Sequence, residues 1–185
     1  MNLGIFLVML FACVALDTSL LPVISIGGVS PSVTATLIVF VSLFAPRQAA
    51  LWAAVSAGLL LDLQSPNATT DGRAVVVPGP YALGFVFGTQ LVLLLRSMVF
   101  RRNPIAVGLL TTPFLIAVSL VWMAIWLLRG FDPGSVLPWS GGNAGGELAR
   151  RAGWALYSGA IGIPFGWLLL FSWPVWRFEQ TFLRR

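Results

Sequence analysis

The stretch IAVGLLTTPFLIAVSLVWMAIWLL, Ile105 to Leu128, holds twenty-four consecutive residues without a charge. A helix of that length is about 36 Å long at ~1.5 Å per residue, enough to cross a hydrocarbon layer of about 30 Å. An uncharged run this long is the signature of a membrane span and not of a soluble core helix. Pro113 near its middle is placed to bend it.

Five more apolar stretches surround this one, giving spans at about 3–21, 31–45, 47–63, 79–97, 105–128 and 152–174. The expected fold is an all-α integral membrane protein, a single transmembrane domain over 1–185 with about six helices in one bundle. Composition agrees. Hydrophobic residues make up 58% of the chain and charged residues 9%, against about 25% charged in soluble domains. The mean hydropathy is +0.91. Span 2 is short, which leaves open an earlier start, a small tilt or a re-entrant path. Pro31 suits a first helical position in it. Asp17 interrupts the first stretch and no basic residue precedes it, so that stretch reads as a retained helix and not a cleaved signal.

All eleven basic residues are arginines, and the net charge is +5. They lie at span ends, where topology and lipid headgroups explain them better than nucleic acid does. Arg47, Arg96, Arg101, Arg102, Arg177, Arg184 and Arg185 fall on one side. Arg73, Arg129, Arg150 and Arg151 fall on the other, with Asp71, Asp132 and Glu147. The positive-inside rule makes the first group a cytoplasmic basic rim and puts both termini inside. Arg150 and Arg151 count against that orientation. Trp139 and Trp154 are expected at the outer interface, Trp173 and Trp176 at the inner one.

The chain has no histidine, no lysine and one cysteine, Cys13. The usual general base, the commonest metal ligand and any internal disulfide are therefore missing. No nucleophile has a plausible base. The expectation is no catalysis, no cofactor and no metal.

Asp62 is the sharpest single residue. Ala50, Ala54, Gly58 and Asp62 recur every four positions and share one helix face. Small residues on that face admit a close neighbour, and the aspartate ends the seam. Buried there, it needs backbone N–H groups or an arginine such as Arg73. It reads as a binding or gating carboxylate, or as a cap organising the loop from Gln64 onward. Span-end aspartates more often do the latter. Asp17 lies equally far along span 1, so the two carboxylates should reach one level. They could share a proton or an arginine; the favoured reading keeps them apart. Gly84–Gly88 and Gly162–Gly166 have small-xxx-small spacing, which most often means internal bundle packing.

The run Gly58-Leu-Leu-Leu-Asp62-Leu63, the loop after it, Gly79-Pro-Tyr-Ala-Leu83, and the span ending at Arg96 before Phe100-Arg101-Arg102 together resemble MreD, the rod shape-determining membrane protein family. The family pattern is a Gly-Leu-x-x-Asp-Leu helix end followed by a Gly-x-x-Ala-Leu helix start. The specific part covers about a quarter of the chain. The loop Asn67-Ala-Thr-Thr-Asp-Gly-Arg73 is longer than the family leads one to expect, and the second polar loop is unusually rich in glycine. The resemblance implies a non-enzymatic scaffold of the bacterial cell-elongation machinery, multi-pass in the cytoplasmic (inner) membrane. It implies binding to an MreC-like single-span periplasmic protein and coupling of MreB filaments to peptidoglycan synthases. It also implies a fold similar to the substrate-binding (S) subunits of energy-coupling-factor transporters. Carried over by motif, Gly58, Asp62, Gly79 and Leu83 would shape the outer end of a cavity between spans 3 and 4, beside Asp17, Tyr81, Gly84 and Gly88. A vitamin-type substrate-binding subunit is the alternative from another class. A lipid-binding protein using the basic inner rim is a third.

Overall fold

The computed structural model describes residues 2–65, 67–68, 74–98, 103–131, 138–139 and 143–176. Helix α1 spans Leu3–Ser19 and is followed by a 3₁₀ turn, Leu21–Ile24. Helices α2 (Val33–Phe44) and α3 (Arg47–Gln64) come next, then a two-strand ribbon of β1 (Asn67–Ala68) and β2 (Ala74–Val75). Helices α4 (Pro80–Leu95), α5 (Pro104–Arg129) and α6 (Ala144–Phe171) complete the bundle, and a 3₁₀ turn, Trp173–Trp176, ends it. The strands pair antiparallel, Asn67 opposite Val75 and Ala68 opposite Ala74. The architecture is a helical bundle, with six α-helices and one short ribbon among the described residues.

Two of these, α5 and α6, are long and apolar enough to cross a membrane; α1, α2 and α4 are apolar but shorter. Large apolar side chains lie exposed on the outward faces of five helices, among them Phe11, Trp52, Phe87, Leu120 and Trp167. Isolated exposed apolar residues are ordinary, but a belt of them around a bundle is not.

The odd helix out is α2. Every residue from Val33 to Leu43 is buried, and the helix touches all five others. Its shortness therefore marks a central position. Pro31 is not its first helical residue. Ser32 is the N-cap, and its Oγ accepts the Ala35 N–H at 3.3 Å. A serine oxygen at that place satisfies a free first-turn donor, which proline cannot do. The helix stops because Pro46 disfavours helical geometry in the residue before it. Ala45 is accordingly extended, with φ −83° and ψ 159°.

Small residues set the helix spacings. In α3, Ala50, Ala53, Ala54, Ala57 and Gly58 are buried. A Cβ on Gly58 would stand 2.4 Å from the Ala82 Cα, so α3 and α4 meet backbone to backbone. Gly84 and Gly88 face Val118 and Phe114 of α5, while Gly162 and Gly166 face Thr36 and Val107. Both glycine pairs are internal packing surfaces, as their spacing suggested. Helix α5 runs unbroken past Pro113, and α6 past Pro164.

Helix α6 starts eight residues ahead of the expected Ala152. Asn143 caps it, its side chain accepting the Gly146 N–H at 2.5 Å. Glu147 in the first turn then pairs with arginines three and four positions on, a spacing that brings side chains together on a helix. At 28 residues, α6 is about 42 Å long, more than a hydrocarbon core needs. Two of the tryptophans expected at an interface are buried within the bundle. Trp139 is buried against Trp122, and Trp176 is fully buried against Phe40 with ring centroids 5.3 Å apart. Neither faces outward, because each ring has an aromatic partner inside the bundle.

Candidate functional site

Asp17 and Asp62 stand two residues before the ends of α1 and α3. Each caps the start of the next α-helix across a connecting segment. The Asp62 Oδ2 accepts the N–H groups of Gly79 at 2.8 Å and Ala82 at 3.1 Å, and Oδ1 accepts that of Tyr81 at 2.9 Å. The local sequence calls for this acceptor. Gly79 is the N-cap of α4 and has no side chain to offer, while Pro80 lacks an N–H. With φ at +128°, Gly79 turns the chain over the carboxylate in a conformation that side-chain-bearing residues rarely adopt. Asp62 is 2% exposed, so the N–H groups it takes have no water to turn to.

Asp17 does the same for α2. Its Oδ1 accepts the Val33 N–H at 2.8 Å, and Oδ2 accepts the Thr34 N–H at 3.2 Å and the Ser32 hydroxyl at 2.8 Å. The Ser32 N–H is taken by Ser158 Oγ of α6 at 3.0 Å. Among the described residues, the two aspartates thus have separate partner sets and no donor in common. Of the two readings of Asp62, the geometry fits the cap; its donors are backbone groups. Arg73 lies outside the described residues.

Gly58 brings α3 and α4 into backbone contact along their seam, and open space lies at the end of that seam, where Asp62, Pro80 and Tyr81 line a cleft. Leu83 is 57% exposed and points away from it; Gly84 and Gly88 are used against α5. Of the expected set, Tyr81 and Asp62 line open space. Two adjoining clefts of about 220 and 210 Å³ share Tyr81, Arg150 and Arg151. The first adds Gly28, Ser30 and Trp154; the second adds Asp62, Trp122 and Glu147. The α1–α2 connection and the starts of α4 and α6 therefore converge at one end of the bundle.

Glu147 organises this end. Its Oε1 accepts from Arg151 Nε and Arg150 Nη2, both at 2.8 Å, and its Oε2 from Arg150 Nε at 2.9 Å. The hydrogen bonds from Arg150, with both guanidinium charges, hold its carboxyl below the usual carboxylate range. The Arg151 side chain is 6% exposed, and its guanidinium lies 3.5 Å from the centroid of the Trp122 ring. A cation over an aromatic face is attracted by the ring quadrupole, more strongly when shielded from water. Trp122 in turn packs with Trp126, Trp139 and Tyr81. The sequence reading missed this cluster. Its trace was the Glu147, Arg150, Arg151 spacing behind a capping asparagine.

At the opposite end, Arg47 Nη2 donates to Gln90 Oε1 at 3.3 Å, and Arg96 Nη1 donates to the Ala45 carbonyl at 3.3 Å. These two rim arginines converge on the α2–α3 corner. Arg101, Arg102, Arg177, Arg184 and Arg185 lie outside the described residues. Among the described residues, no group of three or more His, Cys, Asp or Glu side chains is placed to hold a metal ion. No protein-family model, curated protein or solved structure matches the chain.

Proposed function

We propose that this chain is a non-enzymatic membrane scaffold of the MreD type. Its helices form one bundle in the bacterial cytoplasmic membrane, about six in all with the short α2 held at the centre, and both termini inside. It binds an MreC-like single-span periplasmic protein and helps couple MreB to peptidoglycan synthesis. The observation that carries the reading is the motif pair Gly58–Leu63 and Gly79–Leu83, whose halves meet through Asp62 on the Gly79, Tyr81 and Ala82 N–H groups. The belt of exposed apolar side chains supports placement in lipid. The arginine distribution supports the orientation.

Affinity purification of the full chain from detergent-solubilised membranes tests the proposal. The expected result is co-recovery of a single-span protein with a periplasmic coiled coil. Recovery of an ATPase pair would replace this reading with the substrate-binding subunit of a transporter, which the clefts beside Tyr81 favour. Recovery from the soluble fraction without detergent would overturn both.

A further inference from the structure

The clefts at the α6 start hold more cationic hydrogen-bonding capacity than the protein uses. Glu147 engages Nε of both arginines and one terminal nitrogen of Arg150. Among the described residues, the two terminal nitrogens of Arg151 make no hydrogen bond, although the side chain is 6% exposed. One terminal nitrogen of Arg150 is equally unused. One carboxylate against two guanidiniums leaves a positive charge on the wall shared by both clefts. The Asp62 carboxylate lines the second cleft and not the first, whose lining carries both arginines and no acidic residue. Ser30 and Tyr81 line the first cleft, and their hydroxyls make no hydrogen bond among the described residues.

Arginine forks suit oxyanions, and they bind them best where water is scarce. The donors here come from α6, from the start of α4 and from the α1–α2 connection, so they do not share one plane. A planar carboxylate uses such a set poorly, whereas a tetrahedral oxyanion presents oxygens in several directions. A cleft of about 220 Å³ has room for a phosphate with a few further atoms. Trp154 on the same wall fits the level of lipid headgroups.

The geometry points to a phosphate-binding site formed by Arg150, Arg151, Tyr81 and Ser30, for a phosphate carried by a phospholipid or by a soluble phosphate ester. The site does not depend on the partner assigned above, and it fails or stands separately from it.

Native mass spectrometry of the full chain in an uncharged detergent tests the site, with short-chain phosphatidylglycerol, glycerol 3-phosphate, glycerate and diacylglycerol as probes. Wild type is expected to retain one phosphate-bearing probe per chain. Arg150→Gln should lower that occupancy at least tenfold and Arg151→Gln should abolish it, while Arg151→Lys keeps the charge without the fork and falls between. Retention of phosphatidylglycerol alone assigns the lipid as source, and retention of glycerol 3-phosphate alone assigns the soluble ester. Should Arg151→Gln fail to fold, Arg150→Gln, whose side chain is half exposed, and Tyr81→Phe decide. Equal occupancy in wild type and Arg150→Gln overturns the site, as does diacylglycerol or glycerate binding as well as the phosphates, or no binding at all.

Discussion

Replacing Asp62 with asparagine preserves the shape of the side chain and removes its charge and one acceptor. The carboxylate serves three backbone donors, two on Oδ2 and one on Oδ1. An asparagine oxygen in the Oδ2 position keeps Gly79 and Ala82, and its NH₂ group then confronts the Tyr81 N–H. One buried donor left unpaired costs about 1–3 kcal/mol. The two surviving bonds change from charge-assisted to neutral, a loss of about 0.5–1 kcal/mol each. The sum is about 2–5 kcal/mol of stability, or about 4–20 °C in melting temperature for a chain of this size. Intrinsic tryptophan fluorescence during heating in detergent gives the melt. Recovery of the co-purifying partner, normalised to folded protein, gives the binding. The expected result is a lowered melt with binding kept. A melt within about 1 °C of wild type refutes the cap, since no packed helix start loses a donor pair for so little. Lost binding at an unchanged melt would make Asp62 an interface residue.

Gly58→Ala should destabilise by about 2–3 kcal/mol, because the new methyl meets the α4 backbone and not a yielding side chain. Gly153→Ala is the matched contrast: an exposed helical glycine with nothing within 4 Å of the new Cβ, expected to gain about 0.5–1 kcal/mol in the same melt. The Glu147 carboxyl titrates below its ordinary value of 4.5 in the folded chain, so its pairing stabilises the fold above that value and is lost as pH falls through the folded pKa. Wild type should therefore lose more melting temperature than Glu147→Gln between about pH 5 and pH 3; parallel curves would dismiss the pairing as a source of stability. For topology, a Ser140→Cys variant in a Cys13→Ala background should react with an impermeant maleimide added to intact cells, and labelling only after lysis would invert the orientation.

The parts of this fold that hydropathy could report were the number of helices and the long uncharged α5. Four-residue spacing was enough to read the Ala50–Asp62 face and both glycine pairs as packing surfaces, since side-chain size acts locally. The place of α2 was not legible. A central helix and a lipid-facing one are equally apolar, and only contact with all five neighbours separates them. The Glu147–Arg151 cluster was hidden for the opposite reason. Its charges lower the local hydropathy and its glycines resemble loop, so the first two turns of α6 were read as linker. Capping at Asp62 was one of two readings left open by spacing. The choice depended on where Gly79 to Ala82 fold back to, which is tertiary information.

The buried position of α2 has a consequence for how the molecule is made. Twelve residues amount to about 18 Å of helix, short of the ~30 Å slab a free-standing segment has to bridge. Both its ends would then sit below the headgroups, where an uncapped backbone amide has no solvent to fall back on. Those amides are answered by Asp17 from the helix made before it and by Ser158 from the helix made last. On the membrane reading proposed above, α2 would not settle alone during synthesis, because the Ser32 amide is answered only once α6 is in place. Chains cut short before Ser158 should be handed to quality-control proteases, not parked as partial bundles.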